Sequence, residues 1–386
     1  VSFAPPPRLL LSSGPSPVPQ RVLDALAQPT IGHLDPAFGE LLEETADLLR
    51  ATFRTENAAT LPVSATGSGG MDALIANFVE PGDRVVVGVN GVFGGRLMDA
   101  LARAGAEPVA VEAEWGRAID LDDLHAVLRP GADAVCLVHG ETSTGVCQPM
   151  DGVSDACRDA GALLLVDCVT SLSGQPVLLD EWGVDAAFSG SQKCLNAPPG
   201  LAPFTAGERA IEKLRGRATP PRSWFFDLTL VLEYWDAEGG RVYHHTAPVN
   251  MIYALAEALR IVAEEGLEQR WERHRRAHEA LRGALSHFGL ERIAPDGEEL
   301  WPLLAVTVPE GVDEASVRGR LLREHGIEIA GGFGPLAGKA WRIGVMGEGA
   351  RPEPQERLVR ALAELMDRDP DPAVDALGAG WAAAPA

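Results

Sequence analysis

From about residue 58 to residue 206 the sequence alternates short, almost continuous apolar runs with amphipathic stretches of helical period, and few folds accept that rhythm. Runs at 59–65, 84–89, 107–112, 134–138, 162–166, 186–189 and 201–206 read as strands. Between them, 71–79, 92–104, 121–128 and 153–160 read as helices. A strand apolar on both sides must be covered on both sides, which predicts an α/β fold built on a mostly parallel sheet between two helix layers. Ligands of such sheets sit beyond the carboxyl ends of the strands, so the loops that follow the strands should carry the chemistry.

After residue 215 the texture changes. Residues 215–246 are aromatic and basic, with Trp224, Phe225, Phe226, Tyr234, Trp235 and Tyr243. Long helical patterns follow at 249–264 and 267–288, then a smaller α/β unit. That unit has strands at 303–308, 327–330 and 340–345 and helices at 314–325 and 354–366. The expected organisation is an N-terminal arm (1–20), a large domain (21–262), a small C-terminal domain (263–366) and a flexible tail (367–386) whose composition is that of a frayed end.

Acidic residues outnumber basic ones, giving a formal charge of −22, so binding to nucleic acid or to an anionic membrane surface is disfavoured. Five cysteines without CxxC spacing argue against a disulfide framework or a zinc site, and no metal is expected. Neither a signal peptide nor an apolar run long enough to span a bilayer is apparent, so a soluble cytoplasmic protein is expected.

Three post-strand segments could carry chemistry. Thr66-Gly-Ser-Gly-Gly70 lies between a strand and a helix, where backbone amides and the Ser68 hydroxyl can hold an anion. A tight turn without ligand would look the same, and the spacing matches neither a P-loop nor a dinucleotide fingerprint. Asp167 closes a buried strand, where a carboxylate costs several kcal/mol unless it meets a proton or a cation, although it could also cap the next turn. Lys193, in Ser189-Gly-Ser-Gln-Lys193, could form a Schiff base with an aldehyde cofactor; taken singly, a lysine is more often a surface charge. A phosphate cradle, a carboxylate and a lysine at neighbouring strand ends together are what pyridoxal 5'-phosphate needs.

The chain resembles the class V, fold-type I aminotransferases, within them the alanine–glyoxylate and serine–glyoxylate (serine–pyruvate) aminotransferases. The resemblance runs nearly end to end. Its most specific segments are HGETSTG (139–145), VDCV (166–169), SGSQKCLNAPPG (189–200) and YHHT (243–246). It implies that Lys193 is the Schiff-base lysine and that Asp167 pairs with the ring nitrogen. Thr142 should bond the ring-oxygen side, Val169 should pack on the ring face, and Ser68, Gly69, Gly70 and Gln192 should hold the phosphate. Tyr243 and Thr246 should complete the site of a neighbouring subunit in a homodimer. Arg342 should grip the substrate carboxylate as a bidentate pair, with Gly14, Gly32 and His33 lining the substrate side.

One departure is Phe93, in Asn90-Gly-Val-Phe-Gly94, where the family often stacks a tryptophan or tyrosine on the ring. Stacking should survive while a polar edge is lost. The implied activity is transfer of an amino group from alanine or serine to glyoxylate or pyruvate. Alternatives within the fold are a ureidoglycine, aminoethylphosphonate or specialised-metabolism aminotransferase, or a lyase on the same cofactor. A cysteine desulfurase is disfavoured because Gln192, not histidine, precedes Lys193. The intact set Lys193, Asp167 and Arg342 argues against a non-catalytic binding protein.

Overall fold

The computed structural model describes residues 4–235 and 241–383. Outside the described residues lie 1–3 of the expected arm, 236–240 of the aromatic stretch and 384–386 of the expected tail.

Seven strands build the central sheet: β1 (Ala59–Val63), β2 (Arg84–Val89), β3 (Glu107–Glu112), β4 (Ala134–Val138), β5 (Leu163–Asp167), β6 (Ala186–Phe188) and β7 (Ala202–Ala206). Their spatial order is β1-β7-β6-β5-β4-β2-β3. Every neighbouring pair is parallel except those made by β7, which runs antiparallel to β1 and β6. Side chains alternate between the two faces, as strand geometry requires. Leu163 and Leu165 join one apolar cluster with residues of helix α1 (Gly67–Phe78) and helix α2 (Val92–Ala104). Leu164 and Val166 join the opposite cluster, with Leu42, Leu255 and Leu259. The two-sided burial anticipated from the apolar runs is thus realised residue by residue.

Two long helices, α3 (Val249–Glu265) and α4 (Leu267–Ser286), meet at Gly266, whose φ of 83° lies in the left-handed half of the map. They lead to a second sheet, antiparallel throughout, of β8 (Glu291–Arg292), β9 (Leu303–Thr307), β10 (Ala330–Gly331) and β11 (Ala340–Gly344), in the order β8-β9-β11-β10. The strand expected at 327–330 is divided. Ile327–Glu328 pairs in parallel with Leu9–Leu10 of the N-terminal arm, and only Ala330–Gly331 reaches β11. The arm thus occupies backbone groups that a longer strand would have given to the sheet. Among the described residues, no helix is long and apolar enough to cross a membrane.

The expected frayed tail is corrected by the structure. Asp371–Ala382 forms helix α5, with Ala373 and Leu377 buried. Gly380 backs onto α4 so closely that a Cβ there would lie 2.7 Å from the Ala280 Cα, and Trp381 Nε1 donates to Gln355 Oε1 at 2.9 Å. The spacing of residues 373, 377, 380 and 381 is an apolar helical stripe, which the abundance of Ala and Gly disguised. Leu377→Ala should lower the unfolding free energy by about 2–4 kcal/mol in a urea titration. A frayed tail would give no change.

Candidate active site

Strand parity aims Asp167 at the chemistry. It is the last residue of β5, on the same face as Leu163 and Leu165, and so looks toward the N-termini of α1 and α2. Its carboxylate is buried, Oδ1 accepts from the Val169 N–H at 2.8 Å, and it has no ion-pair partner among the described residues. Burial pushes its pKa up to about 7, against the pull of the Val169 amide.

Lys193 lies in the loop after β6. Its Nζ donates to the Ser13 carbonyl of the N-terminal arm. Burial pulls the ammonium down to about 8, so the neutral amine is accessible near neutral pH. Gly14 stands beside it, a Cβ there being 2.8 Å from Nζ, and its φ of 110° is a backbone conformation that favours glycine.

Ser68, Phe93, Thr142, Asp167, Val169, Gln192 and Lys193 line one cavity of about 220 Å³. The amides of the first turn of α1 have no intrahelical acceptor, and its N-cap residue Thr66 makes no side-chain cap. Gly69 belongs to that turn. Gly70 departs from the expectation: its N–H is already committed to the Thr66 carbonyl at 3.0 Å. A Cβ on Gly70 would meet Ala202 at 2.8 Å, so that glycine serves helix–sheet packing. The Gln192 Oε1 is buried without a hydrogen-bond partner among the described residues. Cys194, next to the lysine, is packed and neutral, with its thiol on the Thr170 carbonyl at 3.3 Å and burial raising it to about 12.

The other expected residues stand off from the cavity. Arg342, on β11, is buried and reaches it through Thr142, with Nη1 donating to the Thr142 carbonyl at 3.2 Å and Nε to the Gly331 carbonyl at 2.8 Å. Burial pulls its pKa down to about 10, so it stays cationic at neutral pH. Gly32, His33, Tyr243 and Thr246 do not line the cavity. His33 and Tyr243 instead pack together, ring centroids 5.3 Å apart, while Tyr243 and Thr246 are exposed. Trp224 and Phe225 are also exposed, and Trp224 stacks on His244 at 4.3 Å.

Two residues went unassigned from sequence. Glu141 is fully buried: Oε2 accepts from the N–H groups of Phe93 (2.9 Å) and Gly94 (3.4 Å), and Oε1 accepts from the Ser143 N–H (2.9 Å) and hydroxyl (2.6 Å). A carboxylate at the N-terminus of α2 suits the helix dipole. It ties the loop bearing Thr142 to the helix bearing Phe93. The hint was an acid inside an otherwise uncharged, tightly apolar-flanked segment. Arg96, one turn beyond Phe93, also lines the cavity and lies 4.7 Å from the Phe93 ring centroid. Its i+3 spacing was the available signal.

The arrangement offers a poised amine, an uncompensated carboxylate and an anion cradle around one small cavity. Comparison with known proteins agrees in kind. The class-V aminotransferase family model matches residues 8–336. The chain is 40% identical to the (S)-ureidoglycine–glyoxylate transaminase of Bacillus subtilis, covering 93% of this chain and 90% of that protein. It is 39% identical to the alanine–glyoxylate aminotransferase of Rattus norvegicus, covering 95% and 89%. The crystal structure of an alanine–glyoxylate aminotransferase from Nostoc sp. superimposes with a TM-score of 0.93 at 48% identity, covering 94% and 96%.

Proposed function

The chain belongs to the class V aminotransferases, and on that premise we propose that it transfers the amino group of a small donor to glyoxylate, with pyridoxal 5'-phosphate carried on Lys193. The observation that carries this reading is the pair Lys193 and Asp167 lining one cavity, an amine that burial pulls down to about 8 and a buried carboxylate in no ion pair among the described residues.

The residues present fit that cofactor. Among the described residues Asp167 has no ion-pair partner, where a protonated ring nitrogen would supply one, and the Gln192 Oε1 and the first-turn amides at Ser68 and Gly69 have no partner that a phosphate would not replace. Bound pyridoxal phosphate supplies an aldehyde that condenses with amines and a ring that accepts electrons from the substrate Cα. Lys193 Nζ would take the Cα proton and deliver it to the carbon that carried the cofactor's aldehyde, a role that its depressed pKa permits near pH 7. Phe93 and Val169 would pack on the ring, Thr142 would bond its oxygen side, and Asp167 would pair with its protonated nitrogen. Arg342 orients the carboxylate of both donor and acceptor. Tyr243 and Thr246, exposed and away from their own cavity, are assigned to the phosphate of a second copy in a homodimer.

Alanine and serine are the donors of first choice. Ureidoglycine is a second reading, favoured by the Bacillus subtilis relative. The test is to supply alanine, serine or ureidoglycine with glyoxylate or pyruvate to the cofactor-loaded protein. Glycine formed from glyoxylate is the expected result with at least one donor. Failure with all three, or sulfide released from cysteine, overturns the reading.

A further inference from the structure

Outside the residues already assigned, one exposed aromatic ring touches the substrate machinery. Phe333 lies between β10 and β11, is 43% exposed, and places its ring centroid 4.1 Å from the Arg342 guanidinium carbon. We infer that Phe333 is a positioning residue that caps the Arg342 guanidinium and strengthens its pairing with a substrate carboxylate. This rests on the reading of Arg342 as the carboxylate grip.

A guanidinium carries five N–H groups. Nε is spent on the Gly331 carbonyl and one Nη1 hydrogen on the Thr142 carbonyl, which leaves three on the Nη1 and Nη2 ends. Those two bonds hold the guanidinium in place and leave donors on Nη2 and Nη1 for a carboxylate. The guanidinium carbon sits over the Phe333 ring, 4.1 Å from its centroid. A ring there attracts the cation through its quadrupole and holds water off one side of the incoming ion pair, where the lower local dielectric strengthens it.

The ring is held in place from its backbone. Gly332 N–H donates to the Ala340 carbonyl at 2.9 Å, and Leu336 N–H to the Phe333 carbonyl at 2.9 Å. Gly334 (φ 49°) packs against Trp115 so that a Cβ would come within 2.7 Å of the indole. A phenylalanine needed only for the core would be buried; this one gives its face to a cation and leaves the remainder exposed.

The test uses the cofactor-loaded enzyme and acetate as a carboxylate that cannot react. Phe333→Ala should raise KM for both donor and glyoxylate, and the inhibition constant of acetate, by roughly 3- to 30-fold while kcat stays within about twofold. Phe333→Tyr should restore native values, since it keeps the ring. Because Phe333 is 43% exposed, the alanine variant should fold with unchanged circular dichroism. If Phe333→Ala leaves acetate inhibition unchanged while Arg342→Ala weakens it strongly, the inference fails and the assignment of Arg342 stands. If Arg342→Ala has no effect on acetate inhibition either, both fall.

Discussion

Replacing Lys193 by alanine is expected to remove amino transfer, with kcat lower by at least about 10²–10⁴-fold in both half-reactions, the worth of a positioned proton-transfer group. Borohydride treatment followed by intact-mass measurement gives a second readout. The native protein should gain the mass of the reduced cofactor, and the variant should remain a bare chain. A fully active variant would overturn the assignment. The same change should not cost stability. Burial lowers the amine from its ordinary 10.5 to about 8, so below pH 8 the unfolded chain loses nothing by being charged while the folded one does. The penalty is roughly 3 kcal/mol below pH 8 and fades as pH rises toward 10.5, so the cofactor-free alanine variant should be the more stable protein at neutral pH.

Asp167→Asn should separate stability from function even more sharply. Removing the charge that pairs with the cofactor ring should lower kcat about 10²- to 10³-fold, the scale of losing one preorganised electrostatic contact. The cofactor-free fold should respond in the opposite sense. The folded carboxyl titrates near 7 against an ordinary 3.8, so the native protein binds its proton more tightly than the unfolded chain does. Its burial costs nothing below pH 3.8, costs progressively more between pH 3.8 and 7, and costs roughly 4 kcal/mol above pH 7. Urea titrations of the cofactor-free proteins should therefore coincide near pH 4 and diverge in favour of the asparagine variant by pH 8. Identical pH profiles would mean that Asp167 is not the uncompensated buried charge described here.

The strands were legible because their apolar runs are nearly unbroken. The run at 162–166 appears as Leu163–Asp167, and the one-residue shift brings the carboxylate itself into the ladder, paired with Val138 and Phe188. The helix expected at 71–79 begins at Gly67 instead. Glycine's poor helix propensity hid a first turn whose amides face the cavity and whose conformation is set by packing. Glu141 was not legible as a site residue, because two of its four donors are backbone amides almost fifty positions earlier, which carry no side-chain signature. Helix α5 was obscured by a composition that resembles a loose end when its residues are counted without their spacing.

Period and parity are local properties, and the sequence alone therefore determined the parallel sheet, the two helix layers and the loops at the strand ends where Lys193 and Asp167 sit. Only the tertiary structure decided what surrounds them. Lys193 meets the Ser13 carbonyl and Gly14 from the N-terminal arm, and Arg342 meets Thr142 across 200 positions of chain. Such contacts are fixed by which surfaces pack together and by the hydrogen bonds that buried groups must find, and neither is written in the propensity of any one segment.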